Sequence, residues 1–262
     1  MTANLGDAAS NLVFDGGTLQ ITGTTLTSFT GSGHTVVFNT NKNVGLDIND
    51  VTNTFTADQI LNQGTGSLTK LGVGTLVLNQ ANTYTGGTNI NAGILNLGTG
   101  QSGSGGPLGG TGTVASVGTI KFGGGTLQFS ASNAVDYSSR FSGSASQPFN
   151  IDANGQTVTF ASLLASTGGT LTKLGAGTLI TTSSSNSYAG TTTISAGTLQ
   201  LGNNGTTGAL ATGSAIVNNG TLTISRTNNT FQGTDFSGAA ITGTGSLVQD
   251  SSRAYASKFF SL

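Results

Sequence analysis

Apolar and polar positions alternate along this chain in very short bursts, as in GTLVL at 74–78, GILNLG at 93–98, GTLQF at 125–129, GTLQLG at 197–202 and GTLTI at 220–224. A period of two puts Leu199 and Leu201 on one side of a ribbon and Thr198 and Gln200 on the other, the pattern of a half-buried β-strand. Most bursts open on a glycine followed by Thr or Ser, again at Gly66-Ser67-Leu68, Gly112-Thr113-Val114, Gly118-Thr119-Ile120, Gly169-Thr170-Leu171 and Gly245-Ser246-Leu247. Each unit reads as a sharp corner followed by a short strand, with glycine supplying the backbone freedom the corner needs.

Strands this short cannot stand alone. One or two inward leucines contribute roughly 1.5–3 kcal/mol apiece, less than the ordering entropy of about 1–2 kcal/mol per residue. Neighbours come either from antiparallel hairpins, for which Asn219-Gly220 is a candidate turn, or from a coil whose turns stack on one another. Spacing favours the coil: Gly74 to Gly93, Gly177 to Gly197 and Gly197 to Gly220 are steps of 19, 20 and 23 residues, the length of one β-helix rung. The expected fold is all-β, a parallel β-helix (β-solenoid) over residues 1–250 with little or no α-helix. On the order of eleven rungs at ~4.8 Å give a rod roughly 50 Å long. Residues 98–113, rich in Gly and Ser, are expected to form a loop or linker. Residues 251–262, with Phe259-Phe260 and two basic residues, are expected to form a terminal cap or tail.

One long phrase occurs twice, LTKLGVGTLVLNQANTYTGGTNINAGILNLG at 68–98 and LTKLGAGTLITTSSSNSYAGTTTISAGTLQLG at 171–202. Leu68, Lys70, Leu71, Gly74 and Leu76 map onto Leu171, Lys173, Leu174, Gly177 and Leu179 at an offset of 103. Tyr84, Gly86, Ile90, Gly93, Leu95 and Leu97 map onto Tyr188, Gly190, Ile194, Gly197, Leu199 and Leu201 at 104. The single insertion falls in the polar segment before the tyrosine, marking it as a loop. The phrase resembles the autotransporter-associated β-strand repeat, also called the passenger-associated transport repeat. That resemblance implies a right-handed parallel β-helix passenger, displayed outside a Gram-negative cell and delivered by a C-terminal outer-membrane barrel. The stretch MTANLGDAAS has neither a basic nor an apolar leader segment, and no barrel pattern follows Gly245, so the chain is expected to be a piece of a longer exported protein.

Composition argues against chemistry. Charged residues make up 6% of the 262, against roughly 25% in an ordinary globular domain; all nine acidic residues are Asp, and there is no Cys. Thiolate metal sites and disulfides are thereby excluded. The eight Lys and Arg are scattered, so nucleic acid is not an expected partner, and no apolar run reaches the ~18 residues of a spanning helix. His34 is the single histidine and has no partnered nucleophile pattern, so a surface or packing role is expected. Asp47 and Asp50 form one close carboxylate pair, expected in a solvated loop, with a hard-cation site as the weaker alternative. Lys70 and Lys173, beside leucines expected to point inward, are placed on the outer face. Tyr84 and Tyr188 are expected to cap the end of the apolar core. Thr191-Thr192-Thr193 raises ice binding, but the Thr-x-Thr units do not align from rung to rung.

No catalytic residue and no cofactor is expected. The predicted function is a non-catalytic extracellular structural or adhesive β-solenoid, part of a bacterial surface protein, with homotypic association into fibres and surface glycans as candidate partners. A virion fibre or decoration protein is the alternative, and a polysaccharide-binding or -cleaving β-helix is a third reading.

Overall fold

A computed structural model describes residues 10–102, 105–110, 118–250 and 255–256. The Gly112-Thr113-Val114 unit, part of the expected 98–113 loop and all of the 251–262 tail except 255–256 lie outside the described residues. The chain divides into two compact units, Met1–Asn133 and Ala134–Leu262.

In the first unit the strands are β1 Leu12–Phe14, β2 Gly17–Ile21, β3 Val36–Phe38, β4 Val44–Ile48, β5 Thr54–Ala57, β6 Leu68–Leu71, β7 Thr75–Leu78, β8 Thr88–Ile90, β9 Ile94–Leu97, β10 Ile120–Phe122 and β11 Thr126–Gln128. β2, β4, β6, β8 and β10 stack in that order in one sheet; β5, β7, β9 and β11 stack in a second, and β1 pairs β3 on a third side. In the second unit follow β12 Pro148–Asp152, β13 Thr157–Phe160, β14 Thr170–Leu174, β15 Thr178–Thr181, β16 Thr192–Ile194, β17 Thr198–Gly205, β18 Ile216–Asn218, β19 Thr221–Arg226, β20 Thr230–Phe231, β21 Ile241–Thr242, β22 Ser246–Gln249 and β23 Tyr255–Ala256. There β12, β14, β16, β18 and β21 form one stack and β13, β15, β17, β19 and β22 another.

Every pair of these strands within a unit is parallel, as a coil requires, because each turn brings the chain back travelling in the same direction. Among the described residues antiparallel contacts survive only as isolated bridges, such as Asn82 with Gly106. Helix, among the described residues, is confined to single 3-10 turns at Thr30–Ser32 and Ser138–Arg140. Both units are thus turns of a parallel β-solenoid.

The duplicated leucines meet in ladders. Leu76 faces Phe55 and Leu95, and Leu78 faces Ala57 and Leu97; Leu179 faces Val158 and Leu199, which faces Leu222. Leu76, Leu78, Leu95, Leu97, Leu199 and Leu222 are fully buried, so each rung's aliphatic side chains are sheltered by the rungs beside it. Near its start the first unit fills this interior with aromatic rings: Phe29 lies 6.0 Å from Phe14, 5.9 Å from Phe38 and 5.0 Å from Phe55, edge-on to each. Such contacts add to the area these rings bury.

Candidate functional site: the paired rung clamps

Lys70 and Lys173 are not on the outer face. Both side chains are completely buried, because strict alternation along β6 and β14 sends Leu68 and Lys70, and Leu171 and Lys173, to the interior. Leu71 and Leu174, expected to point inward, are the half-exposed members instead. Each lysine stands in an apolar ladder, Lys70 between Leu46 and Ile90 and Lys173 between Ile151 and Ile194.

What makes this position tolerable is a ring of acceptors. Lys70 Nζ donates to the carbonyls of Leu71 at 2.6 Å, Gly72 at 2.7 Å and, on the next rung, Ala92 at 3.2 Å. Lys173 Nζ repeats the set with Leu174 at 2.8 Å, Gly175 at 2.8 Å and Ala196 at 3.2 Å. An ammonium has three protons and no acceptor, so three inward carbonyls at a tight corner saturate it. Burial pushes both lysines down to about 8, while the carboxylates of Asp47 and Asp152 pull the other way. These two aspartates sit on the preceding rung at matching places, Asp47 opposite Leu71 and Asp152 opposite Leu174. The repeated arrangement therefore reaches one strand upstream of the repeated phrase.

A second clamp escaped the sequence reading. Asn82, fully buried, accepts the N–H of Leu61 at 2.9 Å through Oδ1 and donates to the carbonyl of Pro107 at 2.8 Å through Nδ2. Asn186 does the same with Leu164 N–H at 2.7 Å and Ala209 C=O at 2.7 Å. One amide side chain thus replaces strand pairing where the chain is too irregular for it, tying three rungs together. Its signal was present, since Asn82 and Asn186 are themselves related by the offset of 104.

Two residues on, Tyr84 and Tyr188 are buried to 0% and 1% exposure, each hydroxyl pairing with a threonine, Thr88 at 2.8 Å and Thr192 at 2.6 Å. Neither ring is available to stack on a sugar. The corners between are set by Gly93 and Gly197, at φ +60° and +65°; a Cβ there would lie 2.4 Å from the Gly74 carbonyl or 2.5 Å from that of Gly177. Gly74 and Gly177 are thus packed against the glycine one rung on. Gly86 and Gly190 leave as little room, against the carbonyls of Thr65 and Gly169.

The remaining candidates are dispersed. His34 is buried, its Nδ1 2.8 Å from the Ser10 carbonyl oxygen. Asp47 belongs to strand β4, not to a loop, and accepts Gln20 Nε2 at 2.8 Å. Asp50 lies in the following turn, where bonds from Thr52 N–H and Oγ1 at 2.8 and 2.7 Å hold its carboxyl below the usual range. Among the described residues no three His, Cys, Asp or Glu gather closely enough to hold a metal ion, and no helix is long and apolar enough to cross a membrane. Thr157, Thr178, Thr198, Thr221 and Ser246 form one hydroxyl column in register. The column two residues on is mixed, Thr159, Ile180, Gln200, Thr223 and Val248, so that face carries no second Thr row, and on the opposite stack Thr193 is in register with Thr172 but with Val217 on the next rung. Arg226 and Asp235 make a buried ion pair at 2.6 Å, with Arg226 also donating to the carbonyls of Thr206 and Gly208.

Stacked parallel rungs with interior polar clamps and dispersed ionisable groups define a repeat-built β-solenoid. Residues 68–97 and 171–201 match the passenger-associated-transport-repeat family, so the chain carries two copies of that repeat. Over 242 residues it is 34% identical to the adhesin BmaC autotransporter of Brucella suis biovar 1 (strain 1330), a match covering 82% of this chain and 6% of the relative. The chain thus spans a small fraction of that relative's length. No solved structure matches it.

Proposed function

We propose that this chain is a non-catalytic segment of an exported bacterial surface protein, serving extension, display and adhesion outside the cell. The observation that carries this reading is the use of the twin lysines: ionisable groups that an enzyme would aim at a substrate are spent here on internal carbonyls, joining one rung to the next. Similarity to a protein named as an adhesin supports the adhesive part and the surface location. Surface glycans are candidate targets, and homotypic association through strand edges would lengthen the display into fibres. The alternative of a virion fibre or decoration protein gains nothing from an adhesin relative.

The test is display of the chain on a non-adherent Gram-negative host through a heterologous outer-membrane barrel, scored by retention on epithelial monolayers and on glycan arrays. Retention several-fold above the barrel alone is expected. Retention equal to that control, or turnover of any polysaccharide by the purified chain, overturns the proposal.

A further inference from the structure

In the first unit the third side of the coil is interrupted. β1 and β3 pair there, with Leu12 N–H donating to Thr35 C=O at 2.8 Å and Asn39 N–H to Phe14 C=O at 2.9 Å. In a parallel ladder this turns Thr35, Val37 and Asn39 toward β1 and leaves the N–H and C=O of Val36 and Phe38 on the opposite edge. No hydrogen bond reaches those groups among the described residues. The next rung passes β3 at residues 58–62 without pairing and rejoins it just beyond, where Asn41 N–H donates to Gln63 C=O at 2.7 Å. Leu61 turns forward, its N–H to Asn82 Oδ1 and its C=O to Thr83 N–H, while the N–H and C=O of Ile60 have no partner among the described residues. Between the two edges lies a groove of about 510 Å³, lined by Val36, Val37, Phe38, Ile60 and the polar Asp58, Gln59, Asn62 and Gln80.

We infer that this groove is a docking slot for an extended polypeptide from another protein, which pairs its backbone with the open edge of β3 and continues the β1–β3 ladder. An unpaired strand edge templates a further strand, and backbone bonds supply the affinity of such additions while side-chain pockets supply the selectivity. The walls specify the occupant. Val36 and Val37, partly buried on opposite faces of β3, and Ile60, 48% exposed, offer apolar surface to β-branched side chains of the occupant. Asp58 is the one carboxylate in a lining without Lys, Arg or His, so a lysine or arginine in the occupant finds a complementary charge. Asp58 already accepts Thr30 N–H at 3.1 Å, which holds it in place. A sugar would use the amides of Gln59, Asn62 and Gln80 but would leave the row of backbone donors and acceptors unmatched. The inference does not depend on the adhesive reading and adds a class of ligand to it.

The test uses the whole chain and a fluorescein-labelled peptide of alternating valine and threonine with one central lysine, followed by fluorescence anisotropy. A second peptide carries the same side chains with alternate amides N-methylated, so it cannot pair. Saturable binding of the first peptide is expected, weakened about tenfold or more by N-methylation, since the methylated amides can no longer donate to the open edge. Ile60→Lys, on an exposed side chain, is expected to abolish binding while circular dichroism stays unchanged; Asp58→Asn is expected to weaken only lysine-bearing peptides. Equal binding of the N-methylated peptide, or binding that survives Ile60→Lys, overturns the slot. So does absence of peptide binding, whether alongside capture of an oligosaccharide or alongside a dimer, seen by sedimentation, that Ile60→Lys dissolves.

Discussion

Lys70 Nζ lies 3.2 Å from the carbonyl oxygen of Ala92, one rung further along the coil, and Lys173 Nζ stands at the same distance from Ala196. A charge-bearing side chain with 0% exposure is thus a built-in, twice-used fastening between turns. In a solenoid each turn is held mainly by its neighbours, so a donor that spans two rungs stabilises the interface on which cooperativity depends.

Replacing either lysine by methionine keeps most of the volume and strands its carbonyls. With the cost of burying the ammonium offsetting much of what its own bonds contribute and each orphaned acceptor costing ~1–3 kcal/mol, Lys70→Met and Lys173→Met are each expected to destabilise by about 1–3 kcal/mol. Urea unfolding followed by circular dichroism measures this. Midpoints unchanged in both variants would show that the corners do not depend on the ammonium.

The same groups give the chain an unusual alkaline response. Their folded-state pKa, about 8, lies below the ordinary lysine value of 10.5 because burial disfavours the charged form. Between those values the unfolded chain holds protons that the folded chain has shed, so the contribution to stability grows as pH rises from 8 toward 10 and is lost as pH falls through 8. Above that window burial of Tyr188, which raises its pKa, opposes the trend. Denaturation midpoints at pH 7.5, 9 and 10 are expected to rise in the parent and stay flat in the Lys70→Met/Lys173→Met double variant; parallel curves for the two proteins refute the assignment.

Asn82→Ala removes both halves of an amide clamp, orphaning Leu61 N–H and Pro107 C=O in the interior. The expected cost is about 2–4 kcal/mol, and Asn186→Ala follows suit with Leu164 and Ala209. Hydrogen exchange gives the sharper readout: the amide of Leu61 in the first variant and of Leu164 in the second lose protection while amides two rungs away keep theirs. Uniform loss across the unit would mean the clamp is not local.

Gly93→Ala and Gly197→Ala ask an L-residue to adopt φ near +60° while its Cβ meets a carbonyl oxygen within about 2.5 Å. Each is expected to cost more than about 2 kcal/mol, since strain and steric contact add. Gly155→Ala shares the positive φ but has open space around it, and should cost distinctly less. Equal thermal midpoints for Gly197→Ala and Gly155→Ala would remove the close approach of rungs as the cause.

Much of this architecture is legible in one dimension. The burst length, the glycine spacing and the 103–104 offset translate directly into strands, corners and rungs, because a solenoid converts sequence period into spatial period. The clamps are only half legible. Leu68-Thr69-Lys70-Leu71 offers two parities, and hydrophobicity alone prefers leucine inside; the structure chooses lysine because the carbonyls of Leu71, Gly72 and Ala92 converge on the interior and need a donor. Asp152 shows the same limit from the other side: Leu46-Asp47-Ile48-Asn49 and Ile151-Asp152-Ala153-Asn154 share their Asp and Asn at an offset of 105, but only the register places both aspartates one rung before a buried lysine.

By itself, then, the amino-acid order determined the strand alternation, the coil, its repeat kinship and the scarcity of reactive groups, all properties of local spacing and composition. Only the tertiary structure decided which parity faces inward, which amide bridges three turns and where the ladder opens beside Val36. Those depend on where backbone donors and acceptors from rungs some twenty residues apart come to lie, and no single rung carries that information.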